Sequence, residues 1–253
     1  MSDYILEVNN LNKEFKVGLS SVKAVNNVSI KVKQGEVIGI VGESGSGKST
    51  LAKLISGLER SDSGEIIING TDIARLKGSA LNKSRKDLKM IFQEPRSSFD
   101  PRLTIGASII ETLKANGFKG DSREKAVELL KNVELGANYF KMKPTQVSGG
   151  ECQRAAIARA IAGNPKLLIC DEATSALDVS VQALIVDLLK KIQKESNMTI
   201  LFISHDLALV SSFCDRTYVM NKGSIVEYNA TNEIINNPQE EYTRKLIGSI
   251  LVV

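Results

Sequence analysis

Apolar and polar residues alternate from Tyr4 to Val8 and again from Val28 to Val32, the period of half-buried antiparallel strands. Three later runs lose that alternation. Val37-Ile38-Gly39-Ile40-Val41, Leu167-Leu168-Ile169-Cys170 and Thr199-Ile200-Leu201-Phe202-Ile203 carry almost no polar residue, which predicts strands covered on both faces. Gly64 to Ile68 and Lys89 to Phe92 predict further strands; Asn69-Gly70 is a hairpin turn signal, and Pro95 blocks further pairing. Thr217 to Met220 and Ser224 to Glu227 predict strands around a turn at Lys222-Gly223, with short helices closing the chain. Helical spacing appears at Leu51 to Ile55, which ends at Gly57, and in a stripe of Val181, Leu184, Ile185, Leu188, Leu189 and Ile192. Ile105, Ile109, Ile110 and Leu113 share another helical face, as do Ala126, Leu129, Leu130 and Val133. The pattern predicts an α/β core, residues 1–96 and 164–253, with a helical lobe inserted at 97–163.

Bulk properties narrow the class. At 253 residues the chain fits one large domain, and 42% hydrophobic with 25% charged residues is ordinary for a globular fold. Apolar runs stay far below the roughly 18–20 residues that span a bilayer, and Met1-Ser2-Asp3-Tyr4 lacks signal-peptide character, so a cytoplasmic chain is expected. The net charge of +4 is mild, and the basic stretch from Lys83 to Lys89 reads as a solvated face, not a nucleic-acid footprint. Cys152, Cys170 and Cys214 form neither a disulfide framework nor a metal spacing, and Cys170 reads as a small buried hydrophobe.

The chemistry concentrates where the apolar runs end. Gly42-Glu43-Ser44-Gly45-Ser46-Gly47-Lys48-Ser49-Thr50 follows the first run and precedes a helix, the strand–loop–helix context of a phosphate-binding loop. Its glycines let backbone N–H groups face an anion, and the helix start adds unpaired N–H groups and the positive end of its dipole. Lys48 supplies a point charge to the β- and γ-phosphates and Ser49 a hydroxyl to Mg²⁺, so nucleoside triphosphate binding is expected. Asp171 and Glu172 appear at the carboxyl end of a buried strand, where α/β sheets place ligands. Asp171 suits a Mg²⁺ partner shared with Ser49, and Glu172 suits a general base or water-positioning group. His205, the chain's single histidine, follows another core strand and suits the γ-phosphate and attacking water. Phe15 could stack on a nucleobase or simply pack. Ser148-Gly149-Gly150-Glu151 has capping-box spacing, which is enough to explain it as a helix start; the same glycines could also form a second anion site.

Taken together these residues resemble the ATP-binding cassette (ABC) transporter ATPases across essentially the whole chain. The phosphate loop, the glutamine loop at Gln93, Ser148-Gly149-Gly150, Asp171-Glu172 and His205 occur in that family's order. Val147 and Glu151 depart from the usual Leu-Ser-Gly-Gly-Gln signature but leave both glycines intact. The resemblance implies a P-loop NTPase core of mainly parallel sheet, an antiparallel β subdomain and an inserted helical subdomain. It implies ATP with Mg²⁺ held by Ser49, Gln93 and, through water, Asp171. Phe15 would lie against adenine, with Glu172, His205 and Gln93 at the catalytic centre. Ser148 to Gly150 would contact the γ-phosphate bound by a partner cassette, and Glu151 and Asp178 count among the nucleotide-contacting positions. The stretches Phe92 to Pro101 and Asp171 to Gln182, with Tyr242-Thr243-Arg244, look like the peptide/nickel importer branch. That branch implies a second cassette (a copy or a relative), two transmembrane permease subunits, an extracytoplasmic substrate-binding protein acting indirectly, and a place on the cytoplasmic face of the membrane. Some members extend past the Tyr242 region with a cysteine-bearing segment; none is seen here, so no iron–sulfur cluster is expected. The rival readings are a soluble ATPase of this type acting on DNA or ribosomes, against which the chain lacks heptads, cysteine clusters and repeats, and an exporter subunit.

Overall fold

The computed structural model describes residues 3–18 and 20–248. Its strands are β1 (Tyr4–Val17), β2 (Ser20–Lys33), β3 (Val37–Val41), β4 (Ser63–Ile68), β5 (Thr71–Asp72), β6 (Leu88–Ile91), β7 (Leu167–Asp171), β8 (Thr199–Ile203), β9 (Arg216–Asn221) and β10 (Ser224–Ala230). Its α-helices are α1 (Lys48–Ile55), α2 (Gly78–Ser84), α3 (Ile105–Ala115), α4 (Ser122–Asn132), α5 (Gly149–Ile161), α6 (Val179–Ser196), α7 (Leu207–Phe213), α8 (Thr231–Asn236) and α9 (Glu241–Gly248). The strands form a six-stranded sheet, ordered β10-β9-β3-β8-β7-β6, and a four-stranded antiparallel sheet, ordered β2-β1-β4-β5. Every pairing from β9 through to β6 is parallel, and only β10 runs against its neighbour.

The unbroken apolar runs are explained by what lies on the two faces of the larger sheet. Successive strand residues point to opposite faces. Ile38, Ile40, Leu167, Ile169, Leu201 and Ile203 therefore join one buried cluster with α1 and the antiparallel sheet. Leu168, Cys170, Ile200 and Phe202 join the other, built from the helices between β6 and β7 together with α6 and α7. Phe202 is fully buried and meets the Phe213 ring edge-on at 5.3 Å.

Two sequence expectations need correction. β1 and β2 run well beyond the alternating segments, because the alternation slips. Asn10 and Asn27 take left-handed backbone (φ 49° and 53°), and the pairing register breaks between Val8 and Leu11. The bulge returns Leu11 to the buried face after two residues that do not fit the period. The Asn10 and Asn27 side chains bond each other across it at 2.9 Å. The basic stretch is also only partly solvated. The Arg85 guanidinium donates to the carbonyls of Ser56 (3.0 Å) and Gly57, closing the end of α1. Lys89 is half-buried, and burial lowers its pKa.

Candidate functional site

Parallel pairing brings the carboxyl ends of β3, β6, β7 and β8 to one edge of the sheet, and the residues that follow each end meet there. The loop after β3 is wedged against its neighbours. A Cβ at Gly42 would lie 2.1 Å from the Met220 carbonyl oxygen, and one at Gly47 would lie 2.1 Å from that of Ala24. Both residues also have positive φ (155° and 105°), so no side chain fits there. The turn between β9 and β10 fixes the loop from outside, with the Gly223 amide donating to the Ser46 carbonyl at 2.9 Å.

Lys48 is buried, and its ammonium donates to the carbonyls of Gly42 (2.7 Å) and Glu43 (2.8 Å). Burial lowers its pKa, against the raising effect of the nearby Glu172 and Asp171 charges. The Ser49 hydroxyl donates to Asp171 Oδ1 at 2.9 Å. Burial pushes the Asp171 carboxyl above its ordinary range; the Ser49 bond opposes this and the Glu172 charge adds to it. A hydroxyl and a carboxylate in direct contact are the hard oxygen donors that Mg²⁺ accepts. Among the described residues no group of three or more His, Cys, Asp or Glu side chains could hold a metal. A cation here would therefore complete its shell with nucleotide oxygens, as Mg²⁺ does in phosphoryl-transfer sites. Glu172 sits just past β7 in left-handed backbone (φ 48°), its amide donating to the Ile203 carbonyl at 3.0 Å. Its Oε1 lies 3.7 Å from Nδ1 of the exposed His205, close but beyond a hydrogen bond.

A cleft of ≈ 530 Å³ gathers Ser44, Gly45, Gly47, Lys48, Ser49, Thr50, Gln93 and Glu172. Phe15 is not in its lining; it pairs with Val22, which is, and carries the Lys13 ammonium 5.0 Å from its ring centroid. Sequence reasoning missed Val22, Lys23 and Lys222, which reach the cleft from β2 and the β9–β10 turn. Only the turn at Lys222-Gly223 left a signal for any of them.

Ser148, Gly149, Gly150, Glu151 and Asp178 lie elsewhere. With Leu177, Val181 and Leu184 they line a second cavity of ≈ 330 Å³ that shares no residue with the first. The capping box is present: Ser148 Oγ accepts from the Glu151 amide at 3.3 Å, and Glu151 Oε2 accepts from the Ser148 amide at 2.7 Å. The Tyr139 hydroxyl donates to the other oxygen of Glu151, and this bond together with the cap holds that carboxyl below its usual range. Asp178 caps α6, accepting from the Val181 amide at 3.0 Å.

The sequence matches the ABC transporter family over residues 25–175, a span holding the phosphate loop, Gln93, Ser148-Gly149-Gly150 and Asp171-Glu172. The chain belongs to that family. As an ABC cassette it is an ATPase. Oligopeptide transport ATP-binding protein OppF of Haemophilus influenzae is 41% identical over 260 residues, covering 98% of this cassette and 78% of that protein. Dipeptide transport ATP-binding protein DppF of Lactococcus lactis is 41% identical over 252 residues, covering 97% of this cassette and 81% of its relative. The dimeric post-hydrolysis structure of the ATP-binding cassette MJ0796, bound to ADP and Pi, superposes with a TM-score of 0.80. Its sequence is 32% identical, and the match covers 89% of this chain and 98% of that one.

Proposed function

We propose that this cassette supplies the ATP-driven stroke of a peptide importer, working as one of a pair beneath two transmembrane permease subunits at the cytoplasmic face of the membrane. The observation that carries the pairing is the separation of the two cavities. The phosphate loop and the Ser148–Gly150 helix start line cavities that share no residue, which fits two half-sites that would each be completed by a second cassette. The dimeric MJ0796 structure is consistent with such a pair. Among the described residues no helix is long and apolar enough to cross a membrane, so a transport path would come from other subunits. The cargo class follows the oligopeptide and dipeptide transport names of the relatives, which favour peptides over nickel or metal–chelator complexes and give no support to a role on DNA or ribosomes.

In this reading ATP lies along Gly42 to Thr50, with Phe15 stacking on adenine from outside the cleft lining and Ser148 to Gly150 of the second cassette closing on the γ-phosphate. Ser49, Gln93 and Asp171 would hold Mg²⁺, which neutralises developing charge on the phosphates. Glu172 orients and polarises the attacking water, and His205 beside it holds that water and the γ-phosphate in line. Asp178 and Glu151 brace the helix starts that present the second cassette's donors. The helical lobe, residues 97–163, joins the core next to Gln93 and passes closure on to the permeases.

The test is Glu172→Gln. The purified variant is expected to keep ATP binding while hydrolysis falls by about 10²-fold or more. Cells in which it replaces the native chain should lose uptake of labelled di- and oligopeptides. Near-normal hydrolysis would remove Glu172 from its role, and intact peptide uptake alongside lost hydrolysis would rule out the cargo class.

A further inference from the structure

The Glu43 backbone at the head of the phosphate loop is engaged at both its carbonyl and its amide. Its carbonyl accepts from the Ser46 amide (3.2 Å) and the Lys48 ammonium (2.8 Å). Its amide donates to the hydroxyl of Tyr242, 199 positions further along the chain, at 3.0 Å. Tyr242 sits in the first turn of α9, and α9 is itself fastened down. The Glu227 carboxylate on β10 accepts from the amides of Gln239 (2.8 Å) and Glu240 (3.1 Å), just ahead of the helix. Thr243 and Leu246 are buried, and the Tyr242 ring packs on the main hydrophobic cluster. The hydroxyl is thus held by a fixed helix and aimed at a loop whose backbone direction decides whether its amides can face a phosphate.

We propose that Tyr242 is a positioning residue for nucleotide binding: its hydroxyl pins the Glu43 peptide, which holds the Gly42–Thr50 loop in its anion-receiving shape before ATP arrives. The proposal rests on reading that loop as the phosphate cradle. A preformed cradle loses less conformational freedom on binding, so removing the pin weakens nucleotide affinity more than it slows chemistry. The Glu43 amide is solvent-accessible, and water can replace part of what the hydroxyl provides, so the effect is graded.

The experiment compares the full chain with Tyr242→Phe, which keeps the ring and its packing and removes only the hydroxyl. Binding of ATP·Mg²⁺ is measured by calorimetry, the KM and kcat for ATP are measured separately, and amide hydrogen exchange is followed over residues 42–50. The variant is expected to bind ATP about three- to tenfold more weakly and to show a matching rise in KM with kcat held within about twofold. Exchange in the loop should be faster and the melting temperature unchanged. Glu227→Ala, which releases the start of α9 without touching the hydroxyl, should weaken binding in the same direction by a smaller factor. Unchanged ATP affinity and loop exchange in Tyr242→Phe would overturn the proposal, as would a fall in kcat with KM unaltered. If the unsubstituted chain itself bound no nucleotide, the cradle reading would fail instead, so the two failures are distinguishable.

Discussion

Glu36 shows how single charged residues hold the two sheets in register. It follows the turn out of β2, accepts from the Lys33 amide at 2.9 Å and from Arg216 on β9 at 2.8 Å, and so links β2 to β9. Burial would raise its carboxyl, but the Arg216 bond and the Lys33 amide outweigh that and hold it below its ordinary value of 4.5. A carboxyl depressed on folding contributes stability above its unfolded pKa and loses it as pH falls through the folded one. Glu36→Gln should therefore be less stable by about 1 kcal/mol at neutral pH and nearly equal to the native chain well below pH 4.5. Denaturant melts across that range check it, and a difference independent of pH would contradict it. At this scale Asp171 and Glu172 stood out as site candidates, because two carboxylates at the end of an apolar run are costly to leave without a purpose. Tyr242 was not legible as part of the site, since nothing in its own neighbourhood marks a partner so far away in sequence.

Among the elements, the strands that read most clearly are those whose burial is complete. β3, β7 and β8 are covered at every position, so their apolar runs match their lengths, with β7 one residue longer at Asp171. The turns Asn69-Gly70 and Lys222-Gly223 were equally plain, since both residues of each take positive φ and the strands on either side pair. β1 and β2 were half-legible because their bulges interrupt the period. α6 exposes the limit of a stripe read from spacing. Val186 is buried at 2% exposure, whereas Leu184 is 58% exposed, although Leu184 fits the predicted face. Leu184 instead lines the second cavity with Gly149 and Gly150, where a second cassette would cover it. Leu184→Asp should leave the fold's stability within about 0.5 kcal/mol and weaken cassette pairing by about tenfold or more. The concentration dependence of ATPase activity reads this directly, and an unchanged dependence would remove Leu184 from the interface.

At the scale of the whole molecule, the site candidates fall into two separate cavities. Two hydrophobic clusters, one on each face of the parallel sheet, make the strand ends a rigid platform for Lys48, Asp171, Glu172 and His205. Ser148, Gly149 and Gly150 line a different cavity from the cleft beside Lys48 and Glu172. The order of motifs along the chain made the family legible, and with it the expectation of a second cassette. That the phosphate loop and Ser148–Gly150 line different cavities was not legible, because it depends on how the helices between β6 and β7 stack on the core. The proposed pairing and membrane path make a direct demand on what the chain is bound to in the cell. The decisive measurement is a mild-detergent pull-down of the tagged chain from its own cells, with every partner identified. Two multi-span membrane proteins are expected, accompanied by a second cassette or a second copy. Recovery with ribosomes or DNA and no membrane protein would contradict that expectation.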